Sequence, residues 1–140
     1  NLDDSKHFLK LASELAKKDN IKNIDVFIKV VSYAKKTNNT LLTYTYGKKI
    51  LNLQKKYKTF VQSPYIDFVV VDSAKKLNKK GEAIKILKHL TTLKINDEDK
   101  ARAYYMLASL TNQKKYLSKC LEQNNSKTWK GLCKDALSVE

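Results

Sequence analysis

The sequence predicts an all-α fold, a stack of about eight antiparallel helices, and three observations carry that prediction. The first is a short pattern that recurs five times: a large residue, a second residue three places on, a small residue directly after it, and a fourth three places further. The copies are Phe8, Leu11, Ala12, Leu15; Thr43, Tyr46, Gly47, Ile50; Val70, Ser73, Ala74, Leu77; Tyr104, Leu107, Ala108, Thr111; and Trp129, Leu132, Cys133, Ala136. Residues three and four apart share one helical face, and the small residue lets a neighbouring backbone approach closely. The second observation is composition. One Pro and three Gly in 140 residues are too few for a sandwich or barrel built of many short strands. The third is that helix start and stop signals divide the chain into eight segments.

Taken in order, Asp3 or Asp4 is placed to cap a first helix reaching about Lys18, with Asp19 and Asn20 in the following turn. A second helix spans about Asn23 to Lys36, and Asn38 and Asn39 break the chain before a long third, about Thr40 to Tyr57. Pro64 starts a fourth, about Tyr65 to Lys79, because Pro fits the first turn of a helix and not its interior. Gly81 ends that helix or opens the fifth, which runs to about Leu93. Asn96, Asp97, Glu98 and Asp99 form a dense start signal, with carboxylates against the positive end of the helix dipole, and the sixth helix follows to about Thr111. The seventh spans about Gln113 to Glu122 and the eighth about Ser126 to Val139. The β-branched runs at Val26 to Val31 and Phe68 to Val71 resemble short buried strands, but no alternating segment lies nearby to pair with them, so both are assigned to helices. Turns of two to six residues make consecutive helices antiparallel neighbours.

Length and composition fit one domain over residues 1–140, or a short run of repeats. The first residue is Asn1 rather than Met, which reads as a processed protein or a fragment of a longer one. No apolar run approaches the ~20 residues needed to span a bilayer. The formal net charge of +14 suggests nucleic acid or another anionic partner first. The make-up of that charge weighs against it: 27 of 28 basic residues are Lys and only Arg102 carries a guanidinium, the group suited to bidentate phosphate and guanine recognition. The lysines also recur along the whole chain, mostly as pairs, and with the many Asn residues they resemble the codon bias of an AT-rich genome. A solvated polar face is the favoured reading of them.

Ala74 and Ala108 are 34 residues apart, the period of the tetratricopeptide repeat. The five quartets resemble the first-helix signature of that family, with Trp129 and Leu132 closest at the Trp and Leu positions and Gly47 supplying the small position as glycine. Ala83, Leu87 and Leu90 resemble the second-helix signature; Leu117, Leu121 and Asn124 match it less well. Pro64 stands ten residues before Ala74, the offset of the family's closing proline. The chain departs from the family in turns about three residues short and in an interval of only 27 residues between Gly47 and Ala74, which leaves one second helix missing or unwound around Tyr57 to Ser63. The resemblance implies a degenerate, right-handed TPR-like solenoid of helical hairpins, with an irregular helical bundle as the alternative. A Lys- and Asn-rich repeat segment closing on Cys120 and the Trp129-Lys-Gly-Leu-Cys133-Lys-Asp-Ala-Leu137 stretch is also similar in kind to the periplasmic paralysed-flagellum proteins of Helicobacter and Campylobacter, scaffolds around the flagellar motor.

Cys120 and Cys133 flank the Asn124–Asn125 turn at similar distances, so in an antiparallel pair they can face each other at disulfide range. Two readings stay open: a bonded pair, which favours an oxidising compartment such as the periplasm, or two buried thiols in a chain that is otherwise placed in the cytoplasm. His7 and His89 lie far from the cysteines and from each other in sequence and read as surface histidines rather than metal ligands. Asp97, Glu98 and Asp99 are too close together in a helix start for an acid and base pair, so they read as caps. No phosphate-binding glycine loop and no nucleophile elbow is present, and neither an active site, a cofactor nor a metal is expected.

What remains is a binding surface. The tetratricopeptide resemblance implies ligand contacts flanking each small residue on the first helix of a pair. Those positions are Tyr44, Lys48, Asn52, Val71, Lys75, Asn78, Lys79, Arg102, Tyr105, Ser109 and Asn112. Their amides, ammonium groups and tyrosines suit an extended peptide with acidic residues or a terminal carboxylate. The expected function is therefore a non-catalytic scaffold that binds a peptide segment or a neighbouring subunit in a larger assembly. A basic helical-repeat module for nucleic acid is the alternative.

Overall fold

The computed structural model describes residues 2–18, 20–58 and 64–139, and it is all-α. In chain order come α1 (Leu2–Leu15), a 3-10 turn (Ile21–Asn23), α2 (Ile24–Lys36), α3 (Thr40–Tyr57), α4 (Tyr65–Lys76), α5 (Lys80–Leu90), α6 (Asp97–Thr111), α7 (Lys115–Leu121) and α8 (Thr128–Ser138). No β-strand occurs among the described residues. The β-branched runs lie in α2 and α4. In α4 they serve burial on every side, since Ile66, Phe68, Val69, Val70, Val71, Ser73 and Ala74 are all buried. No described helix is long and apolar enough to cross a membrane.

The helix boundaries follow from short-range chemistry. Asn39 and Asn96 cap α3 and α6 by accepting the N–H of Leu42 and of Asp99 at 3.0 and 2.8 Å. Asn38, Asn78 and Asn112 stand at φ 55°, 59° and 55°, the left-handed conformation in which a short amide side chain ends a helix, and Lys58 does the same at 50°. α4 accordingly ends at Lys76, three residues sooner than the predicted Lys79, with Asn78 just beyond it. Thr91 and Thr92 donate their hydroxyls back to the carbonyls of Lys88 and His89, just past the end of α5 at Leu90. α1 begins at Leu2, which puts Asp3 and Asp4 inside its first turn rather than before it. Asn20 caps the 3-10 turn by accepting from Lys22, while Asp19 lies outside the described residues.

The chain divides into two compact units, Asn1–Leu77 and Asn78–Glu140. Within the first, α1 packs on α2, α2 on α3 and α3 on α4; its core includes Phe27 against Tyr46, with ring centroids 5.6 Å apart. Within the second, α5 packs on α6, α6 on both α7 and α8, and α7 on α8. Among the described residues no helix stands between α3 and α4; the second helix expected to be missing or unwound around Tyr57 to Ser63 falls mostly on residues 59–63, outside the described residues.

All five small positions of the recurring quartet are buried. The residue just before the small one is buried in the three inner copies (Tyr46, Ser73, Leu107), whereas Leu11 and Leu132 in the first and last copies are 43% and 40% exposed. Gly47 shows why the position must be small. A Cβ added there would overlap Cγ2 of the fully buried Val70, so α3 approaches α4 only because that atom is missing. Gly47→Ala is expected to destabilise the fold by roughly 1–3 kcal/mol through overpacking, despite alanine's better helix propensity. Gly131→Ala in α8, whose Cβ would meet nothing within 4 Å, should instead stabilise by up to about 1 kcal/mol. Chemical denaturation of the two variants side by side checks the contrast; a stabilised Gly47→Ala would refute the close approach.

Candidate functional site

Cys120 and Cys133 are bonded, with Cα atoms 6.4 Å apart, so the bond joins α7 to α8. Around it the second unit gathers Ala101, Ala108 and Leu117, with Tyr104, Tyr105, Tyr116, Trp129 and Leu137 packed at the edge. Trp129 carries much of that packing. The Tyr105 ring lies 5.6 Å from it and the Arg102 guanidinium 5.5 Å above it, a cation–π arrangement.

The acidic start of α6 holds the other end of this assembly. Asp97 accepts the backbone N–H of Asn125 at 3.0 Å, and the two oxygens of Glu98 accept those of Lys127 and Trp129 at 2.8 and 3.0 Å. These are N–H groups around the start of α8, which an intrahelical ladder leaves without acceptors. The carboxylates therefore act as caps, as their residue types suggested, but Asp97 and Glu98 serve the approach to α8 while Asn96 caps their own helix. The N–H groups of Trp129 and then Lys127 hold the Glu98 carboxyl below its ordinary range. A carboxyl with a depressed folded-state pKa contributes stability above its unfolded value and loses it as pH falls through the folded one. Glu98→Gln is therefore expected to lower the denaturation midpoint at neutral pH. The gap from wild type should close as pH falls below the ordinary glutamate value of 4.5. A gap that stays constant down to acid would remove the charge from the explanation.

The eleven positions expected to contact a ligand meet different fates. Val71 is 0% exposed: it is core and offers no surface. Arg102 and Tyr105 lie against Trp129, so α8 occupies the place a ligand would take on that part of α6. Asn78 and Asn112 spend their residue type on left-handed backbone beyond helix ends, with the N–H of Asn112 returning to Ala108 at 2.9 Å. Ser109, Lys75 and Lys79 are exposed, Lys79 at the start of α5. His7 and His89 are exposed too.

Tyr44, Lys48 and Asn52 are the positions the fold brings together. They share the outward face of α3, on the side away from the buried Thr43, Tyr46, Gly47, Ile50 and Leu53. Two residues extend that face beyond the sequence expectation: Leu41, 62% exposed one turn before Tyr44, and Lys55, exposed one turn after Asn52. The signal for both was in the spacing, since Leu41, Lys48 and Lys55 are seven apart and an α-helix drifts only ~20° per seven residues. The quartet drew attention to the residues flanking Gly47 and away from its ends.

No protein-family model matches the chain, and no curated protein matches it significantly.

Proposed function

We propose that this chain is a non-catalytic protein–protein interaction scaffold, a degenerate tetratricopeptide-like helical array that holds a peptide segment or a neighbouring subunit of a larger assembly. The observation that supports this reading best is the outward face of α3, where Leu41, Tyr44, Lys48, Asn52 and Lys55 present apolar, aromatic, amide and ammonium groups in one row. Such a row supplies contact area, hydrogen bonds and charge without any group poised for bond making. The bonded Cys120 and Cys133 favour an oxidising compartment, the periplasm in a bacterial setting such as the flagellar motor.

The net charge of +14 motivates the rival, a nucleic-acid module. Affinity capture with the full chain from its native cell extract, with and without nuclease, separates the two. A scaffold retains the same protein partners after nuclease treatment and shows no oligonucleotide binding at physiological salt. Binding to generic oligonucleotide that persists at that salt and falls steeply as salt rises would replace the scaffold by the rival.

A further inference from the structure

Two Asn-x-Ser/Thr triplets occur in the sequence, Asn38-Asn39-Thr40 and Asn124-Asn125-Ser126, and neither has Pro in the middle. This is the motif by which an oligosaccharyltransferase selects an acceptor asparagine on an exported chain. Both acceptor positions are exposed in turns, the first between α2 and α3 and the second between α7 and α8. They differ in what fixes them. The first is held by contacts within its own hairpin: the Asn39 side chain caps α3, and the Asn39 N–H donates to the Ala34 carbonyl at 2.8 Å. The second is held from a distance, since Asp97 of α6 accepts the N–H of Asn125 at 3.0 Å. Ser126 is only 6% exposed, and its Oγ accepts the N–H of Lys130 at 3.2 Å. Glu122 stands two residues before Asn124 where Asn38 has Lys36, so a transferase that also reads an acidic side chain at that position selects Asn124 alone.

We infer that Asn124 is an N-glycosylation acceptor, modified before the Cys120–Cys133 bond closes over its triplet. The proposal rests on the oxidising-compartment reading that the bonded cysteines support. α7 and α8, with seven and eleven residues, are too short to persist alone, so the triplet between them stays open chain until both settle against α6. In that state the Ser126 hydroxyl is free to engage the transferase. The co-substrate is a polyprenyl-pyrophosphate oligosaccharide. Nδ2 of Asn124 attacks its anomeric carbon; the carbon–nitrogen bond forms and the carbon–oxygen bond to phosphate breaks. One amide proton passes through the transferase to solvent, and polyprenyl pyrophosphate leaves. Folding then buries Ser126 and leaves Asn124 exposed, so the carbohydrate projects from the turn. A bulky, hydrated group there keeps the α7–α8 turn clear of any neighbouring subunit, which directs assembly to other faces.

The test takes the protein from its native cells, alkylates it before reduction, and maps its peptides by mass spectrometry. An oligosaccharide mass on the Asn124 peptide is expected, with Asn38 unmodified and both cysteines protected from alkylation. Asn124→Gln, at an exposed position, should remove the added mass and keep the fold, while Ser126→Thr should retain it. A second arm supplies purified chain, transferase-bearing membranes and polyprenyl-pyrophosphate oligosaccharide. The reduced chain and the Cys120→Ala, Cys133→Ala variant should be modified at least about tenfold faster than the oxidised chain, because the enclosed triplet reacts only through rare opening. Bare Asn124 in native protein whose cysteines are bonded would overturn the acceptor and leave the compartment reading standing. Bare Asn124 with freely alkylated cysteines would overturn both. Equal rates for oxidised and reduced chain would overturn the order of events, and carbohydrate on Asn38 instead of Asn124 would overturn the choice of site.

Discussion

Asp67→Asn is expected to make the protein more stable at neutral pH and to lose that advantage in acid. Asp67 stands in the first turn of α4, where the helix dipole favours a negative charge, yet it is only 5% exposed and its Oδ2 has no hydrogen-bond partner. Burial outweighs the dipole and the residue's own backbone N–H, and pushes the carboxyl up from 3.8 to about 6. The sign follows from proton binding. A folded-state pKa above the unfolded one means the folded chain holds its proton more tightly, so the group's stabilising contribution is complete below pH 3.8. It is lost as pH rises through about 6. A shift of that size corresponds to roughly 3 kcal/mol between the two limits. Asparagine keeps the shape and cannot ionise, although its amide inherits a site poor in partners. A gain of roughly 1–3 kcal/mol at pH 8 is therefore expected, with little or none at pH 4. Urea denaturation of both proteins at the two pH values decides it. An equal difference at both would mean that ionisation of Asp67 is not what matters. Gln54 on α3, the helix against which α4 packs, also buries its Nε2 without a partner, so the first unit tolerates two unsatisfied polar atoms on facing helices.

Neither of those buried polar groups was legible in the sequence, and the reason is physical. Which helices exist was set by periodicity and by Asn, Pro and acidic signals within a few residues, all of which act locally; α3 begins and ends where Thr40 and Tyr57 suggested. What each face meets depends on residues far away in the chain. Val71 reads as a flank of Ala74 and turns out to be core because the first half of α4, from Ile66 to Val71, is buried all round. Arg102 and Tyr105 read as ligand contacts and instead meet Trp129, 27 and 24 positions on. Asn78 and Asn112 were read for their side chains when their tolerance of left-handed backbone explains them. Glu98 was read correctly as a cap, but the helix it caps begins with Thr128, beyond α7. The quartet itself was a packing signal and located the buried small positions well; it held no information on which outward faces remain open.

Removing the Cys120–Cys133 bond is expected to cost about 3 kcal/mol, because a loop of this size loses roughly that much closure entropy in the unfolded chain when it is linked. The effect should concentrate in α7 and α8. α7 has only seven residues and α8 eleven, lengths at which isolated helices are marginal, so both depend on tertiary contacts. Trp129 is the sole tryptophan and sits over Arg102 and beside Tyr105, which makes its fluorescence a local reporter. Reduction with dithiothreitol should lower the denaturation midpoint and shift the tryptophan signal, and Cys120→Ala with Cys133→Ala should reproduce the loss while becoming insensitive to the reductant. Identical midpoints with and without reductant would show that packing alone holds the pair. The Glu98 clamp sharpens the test, since it fixes the start of α8 while the bond fixes its middle to α7. Two ties on one helix act on the same local opening, so Glu98→Gln should cost less in the cysteine-free background, where α8 is already loosened, than in the oxidised protein. Strict additivity would instead mean that the clamp and the bond oppose different unfolding events.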